Sequence, residues 1–258
     1  MMSALRIESA HSSGTVYLVG AGPGAPDLLT VRAARLLAQA DVVFYDALVH
    51  PETLALASAA RHVPVGKRCS RLSTDQRFIN RCLVEAAKKY RCIIRLKGGD
   101  PLLFGRAEEE LAALRAAAIP VEIVPGITAA LAASAQLGVS LTRRGVARQV
   151  TFATARVGEG EAATQWATAV GQSDTAVLYM GVKQAAAISA TLLAQGRAAD
   201  TPVVVVANAS LPDSQHWVTT LAALPQLSAV QHLEVPAILL LGEVYRAQLQ
   251  PSNVAQAA

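Results

Sequence analysis

The sequence predicts an α/β fold built on a mainly parallel sheet, and two observations lead to this prediction. Short apolar runs alternate with amphipathic helical stretches through the first half of the 258 residues, a pattern typical of parallel sheets covered by helices on both faces. Apolar residues make up 52% of the chain but aromatic residues only 4%, which suits alanine-rich helices packed on aliphatic strands. The length allows one large domain or two modest ones.

The elements of the first half follow from these runs in order. A first strand is followed by a glycine-rich loop, and Thr30 is expected to cap the next helix. A second strand ends on Asp46, and Gly138 is a suitable residue to end the last helix. The predicted elements are strand 16–19, helix 30–40, strand 41–46, mostly helical 47–60, extended 63–68, helix 75–89, strand 92–96, helix 107–118, strand 121–124 and a helix from about 128 to 138.

The second half contains further apolar runs and gives a second α/β domain. We predict strands at 150–153, 175–181, 202–206 and 237–241, a loop with a short helix at 158–171, and a helix at 183–195 that ends at Gly196. The predicted organisation is a disordered lead at 1–14, domains at 15–130 and 131–248, and a disordered tail at 249–258.

The stretch Arg95–Pro101 is the strongest local signal for a ligand site. Gly98 and Gly99 follow a buried strand and allow the backbone to approach a ligand, because they carry no Cβ. Asp100 precedes Pro101 and is therefore held out of the helical region, which keeps the segment a loop. Small molecules bind at the carboxyl ends of the strands in open α/β sheets. An ordinary turn is the alternative for this motif alone, but four other unusual stretches favour a ligand loop.

The first glycine loop permits two interpretations. Gly20-x-Gly22-x-x-Ala25 matches the dinucleotide fingerprint, and Asp46 lies near the place of its ribose-binding acid, which would indicate an NAD-dependent oxidoreductase. Pro23 and Pro26 oppose this, since a pyrophosphate needs free amide donors at a helix N-terminus and proline supplies none.

Charge and composition restrict the functional classes. Residues up to 156 contain 20 Lys and Arg against 12 Asp and Glu, whereas the remainder contains 3 against 7, so a polyanionic partner is expected for the first part. Nucleic acid is disfavoured, because no aromatic platform is interleaved with the basic residues.

No apolar run reaches membrane-spanning length, and no secretory signal is recognised. Three unpaired cysteines suit a reducing compartment and show no metal-type pairing. We therefore predict a cytoplasmic protein that is not associated with a membrane and has no metal site.

Taken together, the motifs resemble the tetrapyrrole methylase family, and within it the uroporphyrinogen-III C-methyltransferases, over about residues 16–244. The stretches that carry the resemblance are Val19–Gly24, Tyr45–Val49, Val65–Arg68, Gln76 with Ile79-Asn80, Arg95–Arg106, Val124–Ala129, Leu141-Thr142, Tyr179–Gly181 and Pro236-Ala237. The resemblance implies a two-domain fold distinct from the Rossmann-type methyltransferases, mainly parallel in the first domain and mixed in the second. It also implies a homodimer that binds S-adenosylmethionine in the cleft between domains and releases S-adenosylhomocysteine.

The resemblance further implies a reaction and its residues. Uroporphyrinogen III is methylated at C2 and C7 to precorrin-2, on the route to siroheme or cobalamin, and a later corrin precursor is the alternative substrate. Asp46 matches the family's proton acceptor and Lys67 its proposed proton donor. The cofactor residues carried over are Pro23, Gly98, Gly99, Asp100, Leu103, Thr128, Ala129, Met180 and Ala209. Arg68, Arg106 and Arg143 are candidates to bind the substrate carboxylates. Leu72, Arg143 and Ala209 depart from residues common in the family.

Overall fold

The computed structural model describes residues 13–66, 76–156, 165–227 and 233–249. The chain divides into two compact units, Met1–Ile127 and Thr128–Ala258. Each unit is built around its own five-stranded sheet. Among the described residues, no helix is both long and apolar enough to cross a membrane.

The sheet of the first unit is entirely parallel, as the alternating pattern predicted. Its strands lie in the order β3-β2-β4-β1-β5. Their bounds are β1 (Thr15–Gly20), β2 (Val42–Tyr45), β3 (Arg61–Pro64), β4 (Cys92–Lys97) and β5 (Val121–Val124). The carboxyl ends of all five strands therefore meet at one edge of the sheet.

Helices cover both faces of this sheet. One face packs against α1 (Val31–Ala38) and α2 (Pro51–Ala55), and the other against α3 (Gln76–Ala87) and α4 (Ala107–Ala116). Thr30 caps α1 as predicted, because its hydroxyl accepts a hydrogen bond from the backbone N–H of Ala33 at 3.1 Å. Successive residues of a strand point to opposite faces, so Ile94 and Leu96 pack toward α1 while Ile93 packs toward α3 and α4.

The helix predicted over 47–60 is wrong in extent. Only Pro51–Ala55 is α-helical, and turns precede and follow it. Asp46 begins the first turn by accepting a hydrogen bond from the backbone N–H of Leu48 at 2.9 Å. His50 then caps a helix that has proline at its first position, so helical hydrogen bonding starts there and no earlier.

The sheet of the second unit is mixed, as predicted. Its strands lie in the order β6-β7-β10-β8-β9, and only the β6–β7 pair is parallel. Their bounds are β6 (Val150–Thr154), β7 (Thr175–Tyr179), β8 (Pro202–Ala207), β9 (Gln215–Thr220) and β10 (Ala237–Gly242). The helices are α5 (Ala129–Leu137), α6 (Trp166–Gln172) and α7 (Ala185–Ala194). Strand β9 was not predicted, because it is a polar edge strand that pairs with β8 alone.

Candidate functional site

The loops that follow β1 and β4 cross each other above the sheet of the first unit. The two strands are neighbours, but the β1–β2 connection passes β4 while the β4–β5 connection passes β1 in the opposite direction. At the crossing, Gly22 and Gly99 exchange backbone hydrogen bonds of 3.2 and 2.7 Å. The predicted ligand loop is therefore a joint structure of two glycine loops rather than a single turn.

Glycine is required at this crossing because there is no room for a side chain. A Cβ on Gly126, just after β5, would lie 2.2 Å from the carbonyl oxygen of Gly99. A Cβ on Gly20 would lie 2.6 Å from the backbone of Gly126. Contacts of this length do not occur for real Cβ atoms, so three loops approach as closely as backbones can. The glycines therefore allow the three loops to pack main chain against main chain.

Asp100 links two of these loops. Its Oδ2 accepts a hydrogen bond from the backbone N–H of Gly126 at 2.9 Å, and its Oδ1 accepts one from Leu102 at 2.8 Å. Leu103, another predicted cofactor residue, donates its backbone N–H to the carbonyl of Asp100 at 3.3 Å. Each carboxylate oxygen keeps a second lone pair, so the side chain can also accept a hydrogen bond from a ligand.

Asp46 stands at the same edge of the sheet, directly after β2. Its Oδ1 accepts the backbone N–H of Leu48 at 2.9 Å, and its Oδ2 lies 3.9 Å from Nη1 of Arg95. The side chain is 24% exposed, so the carboxylate is oriented by the protein and still reaches solvent. A positioned, accessible carboxylate of this kind can accept a proton from a bound molecule.

Behind Asp46 lies a buried charged cluster that the sequence analysis did not identify, formed by Arg95, Lys97 and Glu110. Arg95 Nε and Lys97 Nζ each lie 2.9 Å from a different oxygen of Glu110, and the three residues are at most 4% exposed. Burial and the neighbouring Arg95 lower the pKa of Lys97, while Glu110 opposes this effect. Two charges spaced two apart in an apolar strand point to one face, and this spacing is the signal that could have revealed the cluster.

In the second unit, Tyr179 connects two of the predicted cofactor positions. Its hydroxyl lies 2.6 Å from the hydroxyl of Thr128 and accepts the backbone N–H of Ala130 at 3.3 Å. It thereby caps the N-terminus of α5, where Thr128 makes no side-chain cap of its own. Met180 follows Tyr179 directly, so one tyrosine holds the Thr128-Ala129 segment next to the end of β7. Burial raises the pKa of Tyr179.

Ala209 lies beside the same helix. It is buried in the hydrophobic cluster that contains Ala130 and against which Ala129 packs. The adjoining Ser210 donates its backbone N–H to the side-chain oxygen of Gln136, on α5, at 3.2 Å. Thr128, Ala129, Met180 and Ala209 are thus brought together within the second unit.

Strained backbone marks the predicted positions. Among the described non-glycine residues, positive φ angles near +50 to +73° occur at Phe104, Arg106, Ala118, Met180, Asn208 and Ser210. Five of these six are predicted site residues or flank one, since Phe104 follows Leu103 and the last two flank Ala209. Such conformations cost on the order of 1–3 kcal/mol each and concentrate at functional sites.

The remaining candidates differ in how far the structure describes them. Arg106 is exposed, and Glu109 accepts two of its hydrogen bonds, at 2.6 and 2.9 Å. Arg143 is exposed in a turn closed by backbone bonds to Ala147. Pro23 is half-buried in the first glycine loop. Lys67 and Arg68 lie outside the described residues, as does Leu72.

The first glycine loop does not continue into an α-helix. A short 3₁₀ turn over Pro26–Leu28 follows it, and α1 begins only at Val31. The amide donors of a helix N-terminus are therefore absent from the described loop at the point where a dinucleotide pyrophosphate requires them. This arrangement disfavours the dinucleotide interpretation.

Comparison with known proteins gives a consistent result. The family model for tetrapyrrole (corrin/porphyrin) methylases matches residues 15–225. Siroheme synthase of Chromobacterium violaceum is 46% identical over 236 residues, covering 91% of this chain and 50% of that protein. Siroheme synthase of Psychrobacter cryohalolentis is 43% identical over 238 residues, covering 92% and 46%. The chain thus spans about half the length of these curated relatives.

Solved structures show the same likeness over all or nearly all of their length. The crystal structure of uroporphyrin-III C-methyltransferase from Thermus thermophilus, complexed with S-adenosylhomocysteine, has a TM-score of 0.79 and 39% identity. The match covers 91% of this chain and 100% of that one. A cobalt precorrin-4 methyltransferase also has a TM-score of 0.79, at 27% identity, covering 89% and 95%.

Proposed function

The chain belongs to the tetrapyrrole methylase family, and we propose that it transfers methyl groups from S-adenosylmethionine to C2 and C7 of uroporphyrinogen III, giving precorrin-2. The observation that carries this proposal is the similarity to the Thermus methyltransferase across the full length of that enzyme. The motif Lys97–Pro101, together with Val65-Gly66 and the adjoining Lys67-Arg68, favours the uroporphyrinogen branch of the family.

The residues at the candidate site fit S-adenosylmethionine. The loops that carry Gly20, Gly99 and Gly126 pack backbone against backbone at the carboxyl edge of the sheet, where open α/β sheets bind small molecules. Asp100 offers acceptor lone pairs for a cofactor whose sulfonium and ammonium are cationic. When bound, the cofactor supplies an electrophilic methyl carbon. The proposal assigns cofactor binding to the nine residues named above, from Pro23 to Ala209.

Positioning and proton transfer are the tasks of the chain's own residues. S-adenosylmethionine, when bound, would supply the methyl group for the new bond to a pyrrole carbon and would be released as the neutral thioether S-adenosylhomocysteine, while the tetrapyrrole would lose a proton as its ring system rearranges. Much of the rate arises from holding the two carbons in line. Asp46 is assigned as the proton acceptor, because its Oδ1 is fixed by the Leu48 N–H while the side chain remains partly exposed. Lys67 is assigned as the proton donor on the resemblance alone.

The substrate is a polycarboxylate with an acetate and a propionate arm on every pyrrole. Arginine binds carboxylates through two parallel hydrogen bonds, and Arg106 already forms such a pair with Glu109. We assign Arg68, Arg106 and Arg143 to the substrate arms. Relatives named siroheme synthase favour siroheme as the destination of the product, and a homodimer is part of the proposal.

Methylation of a later corrin precursor is the second candidate, since the cobalt precorrin-4 methyltransferase matches with the same TM-score. One experiment separates the two. The purified protein is incubated without oxygen with labelled S-adenosylmethionine and uroporphyrinogen III, and the product mass is measured. A gain of two methyl groups is expected. Cofactor binding without transfer would contradict the proposed substrate and turn attention to later precursors, whereas absence of cofactor binding would contradict the cofactor assignment.

A further inference from the structure

The buried cluster of Arg95, Lys97 and Glu110 carries more positive than negative charge. Arg95 and Lys97 share the single carboxylate of Glu110. Gln76, from α3, adds a neutral hydrogen bond to Glu110 at 3.2 Å. Two cations paired with one anion leave a surplus of one positive charge, and an uncompensated charge in the protein interior is costly.

Asp46 is the group that compensates this surplus. Among the described residues it is the one other carboxylate within ion-pair distance of either cation, with its Oδ2 3.9 Å from Arg95 Nη1. Lys97 also interacts electrostatically with Asp46. The four side chains together are neutral: three are buried, and the fourth stands at the sheet edge where the substrate is expected.

We propose that the Arg95–Lys97–Glu110 cluster is the counter-charge of Asp46, and that Arg95 is a positioning residue that holds this carboxylate at the sheet edge while a polyanionic substrate is bound. The second part rests on the proposed function. The carboxylates of a tetrapyrrole bring negative charge toward Asp46, and like charges repel, so a carboxylate without a fixed cation beside it would be displaced. A buried cation is screened much less than an exposed one, so its attraction for Asp46 persists in the complex.

Among the described residues, the cation within ion-pair distance of Asp46 comes from β4. From β4 come Arg95 and Lys97, and from α4 comes Glu110. Toward β3, His62 packs edge-on against Tyr45, and its ring nitrogen bonds the carbonyl of Ala57. Residues 67–75 lie outside the described chain.

The first test needs no substrate. Asp46→Asn keeps an oxygen for the Leu48 N–H and removes only the charge, so it leaves the cluster with its surplus. The matched control is Glu122→Gln, which removes an exposed carboxylate paired with Arg32 at 2.7 Å in the same unit. Exposed pairs contribute little. We expect Tm to fall roughly 2–4 °C further for Asp46→Asn than for the control. In a protein of this size, such a shift corresponds to about 1 kcal/mol of unfolding free energy. A decrease in Tm for Asp46→Asn that is equal to or smaller than that of the control would contradict the counter-charge role of the cluster.

A double-mutant cycle extends this test. Arg95→Met neutralises the surplus, so Asp46→Asn should lower Tm less in the Arg95→Met background than in the wild type. Lys97→Met replaces Arg95→Met in the cycle if the latter does not fold. Additive effects would contradict the proposal.

The second test separates kcat from KM for methyl transfer, because a residue that positions the proton acceptor acts on the enzyme–substrate complex. Arg95→Met should lower kcat by roughly tenfold or more with S-adenosylmethionine affinity little changed, whereas Arg95→Lys, which retains the charge, should recover most of the loss. An unchanged kcat in Arg95→Met would overturn the positioning role. Absence of methyl transfer by the wild type would overturn the proposed function instead, and the unfolding measurements would still decide on the counter-charge.

Discussion

The carboxylate of Asp100 accepts a hydrogen bond from the backbone N–H of Gly126 at 2.9 Å, across 26 residues of sequence. This bond joins the loop after β4 to the loop after β5, at the place where Gly126 also lies against Gly20 and Gly99. The aspartate of the Gly98-Gly99-Asp100 motif therefore has a structural role before any ligand binds. Because the same side chain is a predicted cofactor residue, we expect loop architecture and cofactor binding to depend on each other here.

Gly126→Ala tests the close approach of these loops. Its Cβ would meet the Gly99 carbonyl oxygen at 2.2 Å, so the loops must separate, and we expect a loss of about 1–3 kcal/mol in unfolding free energy. Cofactor affinity should fall with it. The control is Gly171→Ala within α6, where the nearest atom, Gln195 Oε1, is 3.4 Å away. It should stabilise the protein by about 0.5–1 kcal/mol. Urea unfolding and calorimetric titration measure both, and unchanged stability of Gly126→Ala would refute the crowding.

Asp46→Asn tests the assigned proton acceptor. The amide preserves the shape and the hydrogen bond from Leu48 but cannot take up a proton, so most turnover should be lost, by roughly 10²–10⁴-fold. S-adenosylmethionine binding, measured by calorimetry, should remain within a few-fold of the wild type. Turnover near the wild-type level in this variant would remove Asp46 from the mechanism.

Most buried strands were predictable from sequence because they are largely apolar runs with a turn signal at the end. Strand β5 has the predicted bounds, and β4 exceeds its prediction by Lys97 alone. Strand β9 escaped prediction because Gln215–Thr220 is polar and becomes a strand only through its pairing with β8. Its identity depends on a partner, which local pattern does not contain.

The site was predictable where its parts are local. Gly98, Gly99 and Asp100 follow a strand, and residues adjacent in the sequence determine the geometry of their loop. Glu110 was not predictable as a partner of Arg95, because the bond joins a helix to a strand across a loop whose path the sequence does not specify. Tyr179 was passed over for a similar reason, since its hydroxyl caps a helix 49 residues earlier in the chain.

Tyr179→Phe tests that cap. The ring and its edge contact with Phe152, at 6.1 Å between centroids, are retained, while the bonds to Thr128 and Ala130 are lost. We expect a loss of about 1–2 kcal/mol in stability and about a tenfold weaker cofactor affinity, with kcat at saturation little changed.

Tyr245→Phe is the matched control for this change. The Tyr245 hydroxyl is buried and has no hydrogen-bond partner among the described residues. Its removal should leave the protein at least as stable, because an unsatisfied buried hydroxyl costs free energy. Equal effects of the two tyrosine substitutions, measured by urea unfolding, would contradict the cap.

The pH dependence of stability tests the environment of Lys97. Burial and Arg95 lower its native pKa below the ordinary value of 10.5. Between the native pKa and 10.5 the unfolded chain binds a proton that the native protein lacks, so this residue makes the unfolding free energy rise with pH, by at most about 1.4 kcal/mol per unit. The contribution is complete above 10.5 and is lost as pH falls through the native pKa. The unfolding free energy of the wild type should therefore increase relative to that of Lys97→Met as pH rises through this window. Lys88→Met, which removes an exposed lysine paired with Glu85, should give a curve parallel to the wild type. A parallel curve for Lys97→Met as well would mean that the native pKa is not lowered.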